Sequence, residues 1–176
     1  MRLLEKEQML RRYKKQLRRN VFAEPGVHDF VLVLDNLKRS FNIGKIFRSA
    51  DAMGASAVHL IGTDFFDPGP AKGSLKWVPV LFHKDFPSCY TKLKETGHEI
   101  FILSPEKGRV INEISMPVHS AFVFGHEEFG FSFNKEDFPG VGELAIPQFG
   151  KVQSFNVSIA ASIVMYEYVR QHNGSR

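Results

Sequence analysis

Two short apolar runs flank one amphipathic segment between residues 30 and 61, and that alternation commits the chain to parallel strands. Phe30–Leu34 is rich in β-branched residues and reads as a buried strand. Asp35–Ser40 is a polar turn. Ile43–Met53 follows as a helix stopped by Gly54, with Ile43, Ile46, Phe47, Ala50 and Met53 on one face and Lys45, Arg48 and Asp51 on the other. Ala57–Ile61 supplies a second strand. A strand, a crossover helix and a strand form a right-handed βαβ unit, which excludes a hairpin or meander here.

The same alternation continues downstream. Residues 62–73 are a loop, Val78–Phe82 a short strand, and Phe86–Thr96 a helix ended by Gly97. Glu99–Leu103 is a strand followed by a loop over Ser104–Gly108. Ala121–Phe124 is a strand that runs directly into Gly125, and Glu143–Ile146 is extended until Pro147 stops it. The last helix spans Phe155 to about Gln171 and is apolar on nearly every side, so it needs burial on several faces; a subunit interface would provide that. The expected architecture is an α/β sheet with helices on both faces. Ligands then gather at the carboxyl ends of the strands, in the loops after residues 34, 103, 124 and 146.

Charge divides the chain unevenly. Lys and Arg number 23 against 19 Asp and Glu, a net +4, yet residues 1–20 alone carry eight basic and two acidic residues. That segment is therefore +6 and the remainder −2, which suggests a basic arm over 1–20 and an α/β domain over 21–176. Leu3, Leu4, Met9, Leu10, Tyr13 and Leu17 recur at helical spacing within the arm. It can track nucleic-acid phosphates, or lie on the body through Leu3, Leu10 and Leu17.

Cys89 stands alone, so a disulfide framework and a Cys-based zinc site are not expected, and a reducing compartment is. No apolar run reaches the roughly 18–20 residues of a membrane span. Basic residues continue to Arg19 without an apolar stretch behind them, and Glu5 and Glu7 oppose a transit peptide, so the expected location is the cytoplasm. The seven histidines are scattered, and His126-Glu127 lacks a second His four residues on; no metal is expected. There is no GxGxxG after the first strand, and Gly69–Ser74 has the wrong order for a P-loop.

Three segments remain unusual. In Asn42–Arg48, Asn42 can cap the helix, Gly44 permits close approach of another backbone, and Arg48 sits opposite the apolar stripe. In Phe124–Gly130, a glycine at a strand end, an acidic pair and a second glycine describe a chain bending beside a ligand. In Ile146–Asn156, Ser154 can cap the final helix, and Ser154, Asn156 and Ser158 put polar groups before an apolar stretch. Each segment taken singly also fits an ordinary cap or turn.

In order, these segments resemble the three motifs of the SpoU (TrmH-like) RNA 2′-O-ribose methyltransferases of the SPOUT superfamily. The matches are N-x-G-x-x-x-R at 42–48, G-x-E-x-x-G at 125–130, and I-P…G…S-x-N-x-S-x-A from Ile146 to Ala160. Gln148 stands where the family usually has Met, and Phe155 where it usually has Leu. The resemblance implies a parallel-sheet α/β knot, with a deep trefoil at the C-terminal side, in a homodimer with its sites at the subunit interface. It implies transfer of a methyl group from S-adenosyl-L-methionine to a ribose 2′-hydroxyl of RNA, tRNA ahead of rRNA, without a metal. Ser104, Gly125, Ile146 and Phe155 would hold the cofactor, largely through backbone groups. Arg48 would be catalytic; as a permanent cation it suits a phosphate clamp and alkoxide stabiliser better than a base. Asn42 would position Arg48 or the ribose, Glu127 would orient the site, and Ser154 and Asn156 would complete it. The alternative is an RNA-binding or ribosome-assembly factor that keeps this fold without transfer.

Overall fold

The computed structural model describes residues 3–173. In chain order the elements are α1 (Leu3–Asn20), β1 (Val31–Asp35), α2 (Phe41–Ala52), β2 (Ala57–Ile61), β3 (Val80–His83), α3 (Phe86–Glu95), β4 (Glu99–Leu103), β5 (Arg109–Val110), β6 (Ser120–Phe124), β7 (Val141–Ala145) and α4 (Val157–His172). The strands form one seven-stranded sheet in the order β3-β2-β1-β6-β4-β7-β5, and every strand pairing is parallel. No helix among the described residues is long and apolar enough to cross a membrane.

Successive strand side chains point to opposite faces, so each central strand feeds two cores. Leu32, Leu34, Leu60 and Phe122 face the apolar stripe of α2 (Ile43, Ile46, Phe47, Ala50) and the inner side of α4 (Val164, Met165, Tyr168). Val31, Val33, Ile61, Ile100 and Val123 face Phe86, Cys89 and Leu93 of α3. Being covered on both sides, β1, β2 and β6 are buried at all five positions. That is why they read as unbroken apolar runs.

Several boundaries differ from those expected, for local reasons. β3 starts at Val80 because Pro79 has no N–H to donate; only its carbonyl is used, by the Val58 N–H at 2.9 Å. β5 lies in what reads as loop, since two residues carry no periodicity. α4 begins at Val157, and Asn156 rather than Ser154 is its cap. The Asn156 carboxamide oxygen accepts from the Ser158 N–H at 2.9 Å and from its hydroxyl at 2.7 Å. α2 begins at Phe41, so Asn42 lies within its first turn; the cap position is Ser40, whose side chain makes no capping bond.

α1 packs on the body along one stripe. Tyr13 is buried; its hydroxyl donates to the Asp64 carbonyl at 3.1 Å, and its ring meets Phe65 and Phe66 edge-on. At the end of the helix, the Asn20 carboxamide donates to the Leu75 and Val78 carbonyls and accepts from the Val80 N–H at 3.2 Å. Leu17 contributes to this packing, whereas Leu10 is more than a third exposed. Arg11, Arg12, Lys14, Lys15, Arg18 and Arg19 all point to solvent. Arg2 and the side chain of Leu3 lie outside the described residues.

Candidate active site

The carboxyl ends of β4, β6 and β7 open onto a cavity of about 460 Å³, closed on its far side by the segment leading into α4. Three of its walls come from strand ends: Leu103 and Ser104 from β4, Phe124 and Gly125 from β6, and Leu144 and Ile146 from β7. Ser154, Phe155 and Asn156 supply the fourth, with Val157 and Ala160 of α4 below them. The volume suits a drug-sized or nucleoside-sized ligand.

The loop after β6 is held in a fixed shape. His126 and Gly130 exchange two backbone hydrogen bonds, 2.7 and 2.9 Å long, and the His126 imidazole accepts from the Glu128 N–H at 3.0 Å. Gly125 lies under this turn, where a Cβ would sit 2.8 Å from the Gly130 carbonyl carbon and oxygen. On the far side of the turn, Asp35 at the end of β1 accepts from the Ser132 N–H at 2.6 Å and from its hydroxyl at 2.7 Å. Asp35 is fully buried; that burial pushes its carboxyl up, while the two Ser132 hydrogen bonds act in the opposite direction.

Glu127 joins this loop to α2. Its carboxylate accepts from the Asn42 carboxamide at 2.9 Å and from the Lys38 N–H at 3.2 Å, while the Lys38 ammonium pairs with Glu128. Partial burial would raise the Glu127 carboxyl, but the Asn42 and Lys38 hydrogen bonds prevail and hold it below the usual carboxylate range. Two donors therefore hold an ionised Glu127 in one orientation. Lys38, Asp35 and Ser132 complete this brace; in the sequence they show only as parts of polar loops.

Of the residues anticipated from sequence, Ser104, Gly125, Glu127 and Ile146 line the cavity together with Ser154, Phe155 and Asn156. Asn42 reaches it through Glu127. Arg48 does not. It stands exposed on α2 outside the cavity lining and makes no hydrogen bond or ion pair among the described residues. Its neighbour Ser49 touches Ser162 of α4, hydroxyl to hydroxyl at 3.0 Å, so Arg48 borders the α2–α4 seam.

Gln148, also in the lining, buries its carboxamide oxygen with no hydrogen-bond partner. Such an atom waits for a donor. An amino group on a bound molecule would satisfy it, and the apolar walls of Leu103, Phe124, Leu144 and Ile146 suit a flat heterocycle.

The chain as a whole has known counterparts. The model of the SpoU rRNA Methylase family matches residues 29–166. The chain belongs to that family. A tRNA (guanosine(18)-2′-O)-methyltransferase of Thermus thermophilus is 32% identical over 148 residues, which cover 81% of this chain and 75% of the relative. The crystal structure of the A. aeolicus TrmH/SpoU tRNA modifying enzyme superposes with a TM-score of 0.75 at 25% identity, covering 92% of this chain and 84% of that one. The SpoU methyltransferase AviRb of Streptomyces viridochromogenes, solved in complex with AdoMet, gives 0.71 at 25% identity, covering 86% of this chain and 60% of that one. The segments that resemble the family's second and third motifs meet at the cavity, and Arg48 of the first stands apart.

Proposed function

We propose that the cavity binds S-adenosyl-L-methionine and that the chain transfers its methyl group to a ribose 2′-hydroxyl of RNA, tRNA ahead of rRNA. The observation that carries this reading is the convergence of residues from the second and third motif segments on one cavity that still holds an unpartnered buried acceptor, Gln148. When bound, the cofactor supplies a methyl group already activated by a sulfonium, so the protein's tasks are binding and alignment. Bringing acceptor oxygen and methyl carbon to about 3–3.5 Å can itself supply several kcal/mol. Backbone groups at Ser104, Gly125, Ile146 and Phe155 grip the cofactor, and Gln148 accepts from an amino group. Glu127, fixed by Asn42, orients the mouth of the site, and Ser154 and Asn156 complete its rim. Arg48 clamps an RNA phosphate and stabilises the developing alkoxide.

Because Arg48 does not line its own cavity, transfer requires a homodimer in which α2 of one chain faces the cavity of the other. Ile159 and Tyr166 on α4 and Phe41 on α2 are more than half exposed, an apolar surface suited to a second copy. The trefoil knot is part of the same proposal. In its support, the 104–119 segment grips the chain on both sides of residues 146–156. Before that stretch, the Ser104 and Ile111 N–H groups donate to the Leu144 and Ala145 carbonyls; after it, Gln171 bonds the Met116 N–H and the Ile114 carbonyl. The proposed compartment is the cytoplasm, where RNA is met and the buried Cys89 stays reduced.

The test is transfer of radiolabelled methyl groups to unmodified total RNA, followed by nucleoside digestion. Label recovered as 2′-O-methylnucleosides from tRNA is the expected result. Folded protein that neither binds the cofactor nor labels RNA would support the assembly-factor alternative, which the intact set Asn42, Arg48, Glu127, Ser154 and Asn156 disfavours.

Residues 1–20 enter this proposal as the RNA-holding element. Arg12, Lys15 and Arg19 of α1 border a groove whose other side includes Gly73 and Lys76. Replacing those three α1 cations with Gln is expected to weaken RNA binding and to flatten its salt dependence. The log–log slope should fall by about 0.7–0.9 for each phosphate no longer neutralised. Cofactor affinity is expected to stay unchanged. A salt slope equal to wild type would remove α1 from the RNA interface.

A further inference from the structure

The sheet brings three metal-ligating atoms together on the face opposite α2 and α4. His59 lies in mid-β2, His83 at the end of the neighbouring edge strand β3, and Cys89 one turn into α3, which covers that face. The His59 Nδ1 is 3.0 Å from the His83 Nε2 and 3.7 Å from the Cys89 Sγ, and all three atoms lie within 4.8 Å of one another. His59 and Cys89 are buried, while His83 is half-buried on the sheet edge.

Protonation gives this arrangement one well-formed hydrogen bond at most. The His59 Nδ1 offers either one N–H or one lone pair. If it donates to His83, the Cys89 thiol 3.7 Å away loses it as an acceptor; if its lone pair takes the thiol proton, His83 can only share that lone pair. Two imidazole nitrogens and a sulfur within 4.8 Å of one another can share a single cation. The distances fit one as well. Zinc bonds of about 2.0–2.1 Å to nitrogen and 2.3 Å to sulfur place tetrahedral ligands roughly 3.3 Å apart for N···N and 3.6 Å for N···S. The His59–His83 and His59–Cys89 distances differ from those by a few tenths of an ångström, and the His83 Nε2 and Cys89 Sγ lie within 4.8 Å of each other.

The geometry points to a zinc site formed by His59 Nδ1, His83 Nε2 and Cys89 Sγ, with water at the fourth position on the solvent side of His83. The site is distinct from the methyl-transfer cavity, and it does not depend on that reading. Its role is structural: it clips the edge strand β3 to β2 and to α3. Zinc carries no redox demand, and the thiol proton leaves to bulk water as the thiolate binds. Sequence spacing hid the set, because its members lie on three different elements and match no familiar metal pattern.

The full chain, stripped with chelator and dialysed against Zn²⁺, is expected to retain one zinc per chain and to melt at a higher temperature than the stripped form. Co²⁺ in place of zinc is expected to give tetrahedral visible bands and a thiolate-to-cobalt charge-transfer band. Cys89→Ser should lose that band. His83→Gln, at a half-buried edge position, should lose the metal and melt at the temperature of the stripped wild type, with an unchanged methyl-transfer rate. Zinc retention in wild type no greater than in the two variants, or a cobalt spectrum without the thiolate band, would overturn the assignment.

Discussion

Arg48→Ala is expected to cut methyl transfer by at least ~10²–10³-fold, the scale for losing one preorganised donor to a developing oxyanion. Cofactor affinity should remain within a few-fold of wild type, because Arg48 contributes nothing to the cavity lining. The side chain is exposed and has no partner among the described residues, so its removal leaves no buried group unpaired and the fold should be unaffected. Arg48→Lys retains the charge but loses the planar fork, and is expected to recover only part of the rate. Single-turnover transfer with labelled cofactor, alongside calorimetric binding, separates the two effects. A wild-type rate in Arg48→Ala would end the proposed role.

Gly125→Ala is expected to act on the other half of the reaction. A methyl at this position would lie 2.8 Å from the Gly130 carbonyl carbon and oxygen and 3.0 Å from the Phe131 ring. The nearest obstacle is backbone, so the His126–Gly130 turn has to open. Opening it displaces Glu127 from Asn42 and deforms the cavity wall. Loss of cofactor affinity by about tenfold or more, equal to at least about 1.4 kcal/mol, is the expected result by calorimetry. Unaltered binding would mean that the turn does not shape the site. The two variants also test the subunit arrangement jointly. A mixed dimer of Arg48→Ala and Gly125→Ala chains regains transfer only if an intact arginine on one chain serves the intact cavity of the other.

Much of the sheet was legible because β1, β2 and β6 are buried on both faces, which leaves continuous apolar runs bounded by polar turns. What escaped was decided by single bonds. Ser154 and Asn156 are both competent caps in sequence, and only the path of the chain gives the Ser158 N–H to Asn156. Asn42 resembles a cap until Glu127, 85 positions away, takes its carboxamide. The second and third motif segments were placed correctly at the strand ends, since loops after parallel strands have nowhere else to gather. The separation of Arg48 from the cavity could not be read, because a motif records residue order and not which helix face meets which wall. His59, His83 and Cys89 were invisible for the same reason.

Tyr13 and Asn20 fix α1 at two points to the 64–80 stretch, so its cations are held at set positions instead of sweeping through a volume. A floppy tail rewards any nearby polyanion equally. A pinned rod acts as a ruler: charge spaced along it favours a polyanion whose own rise and curvature match, and penalises one that must bend. Selectivity among folded polyanions can therefore arise from the spacing of ordinary lysines and arginines, without a single base being read.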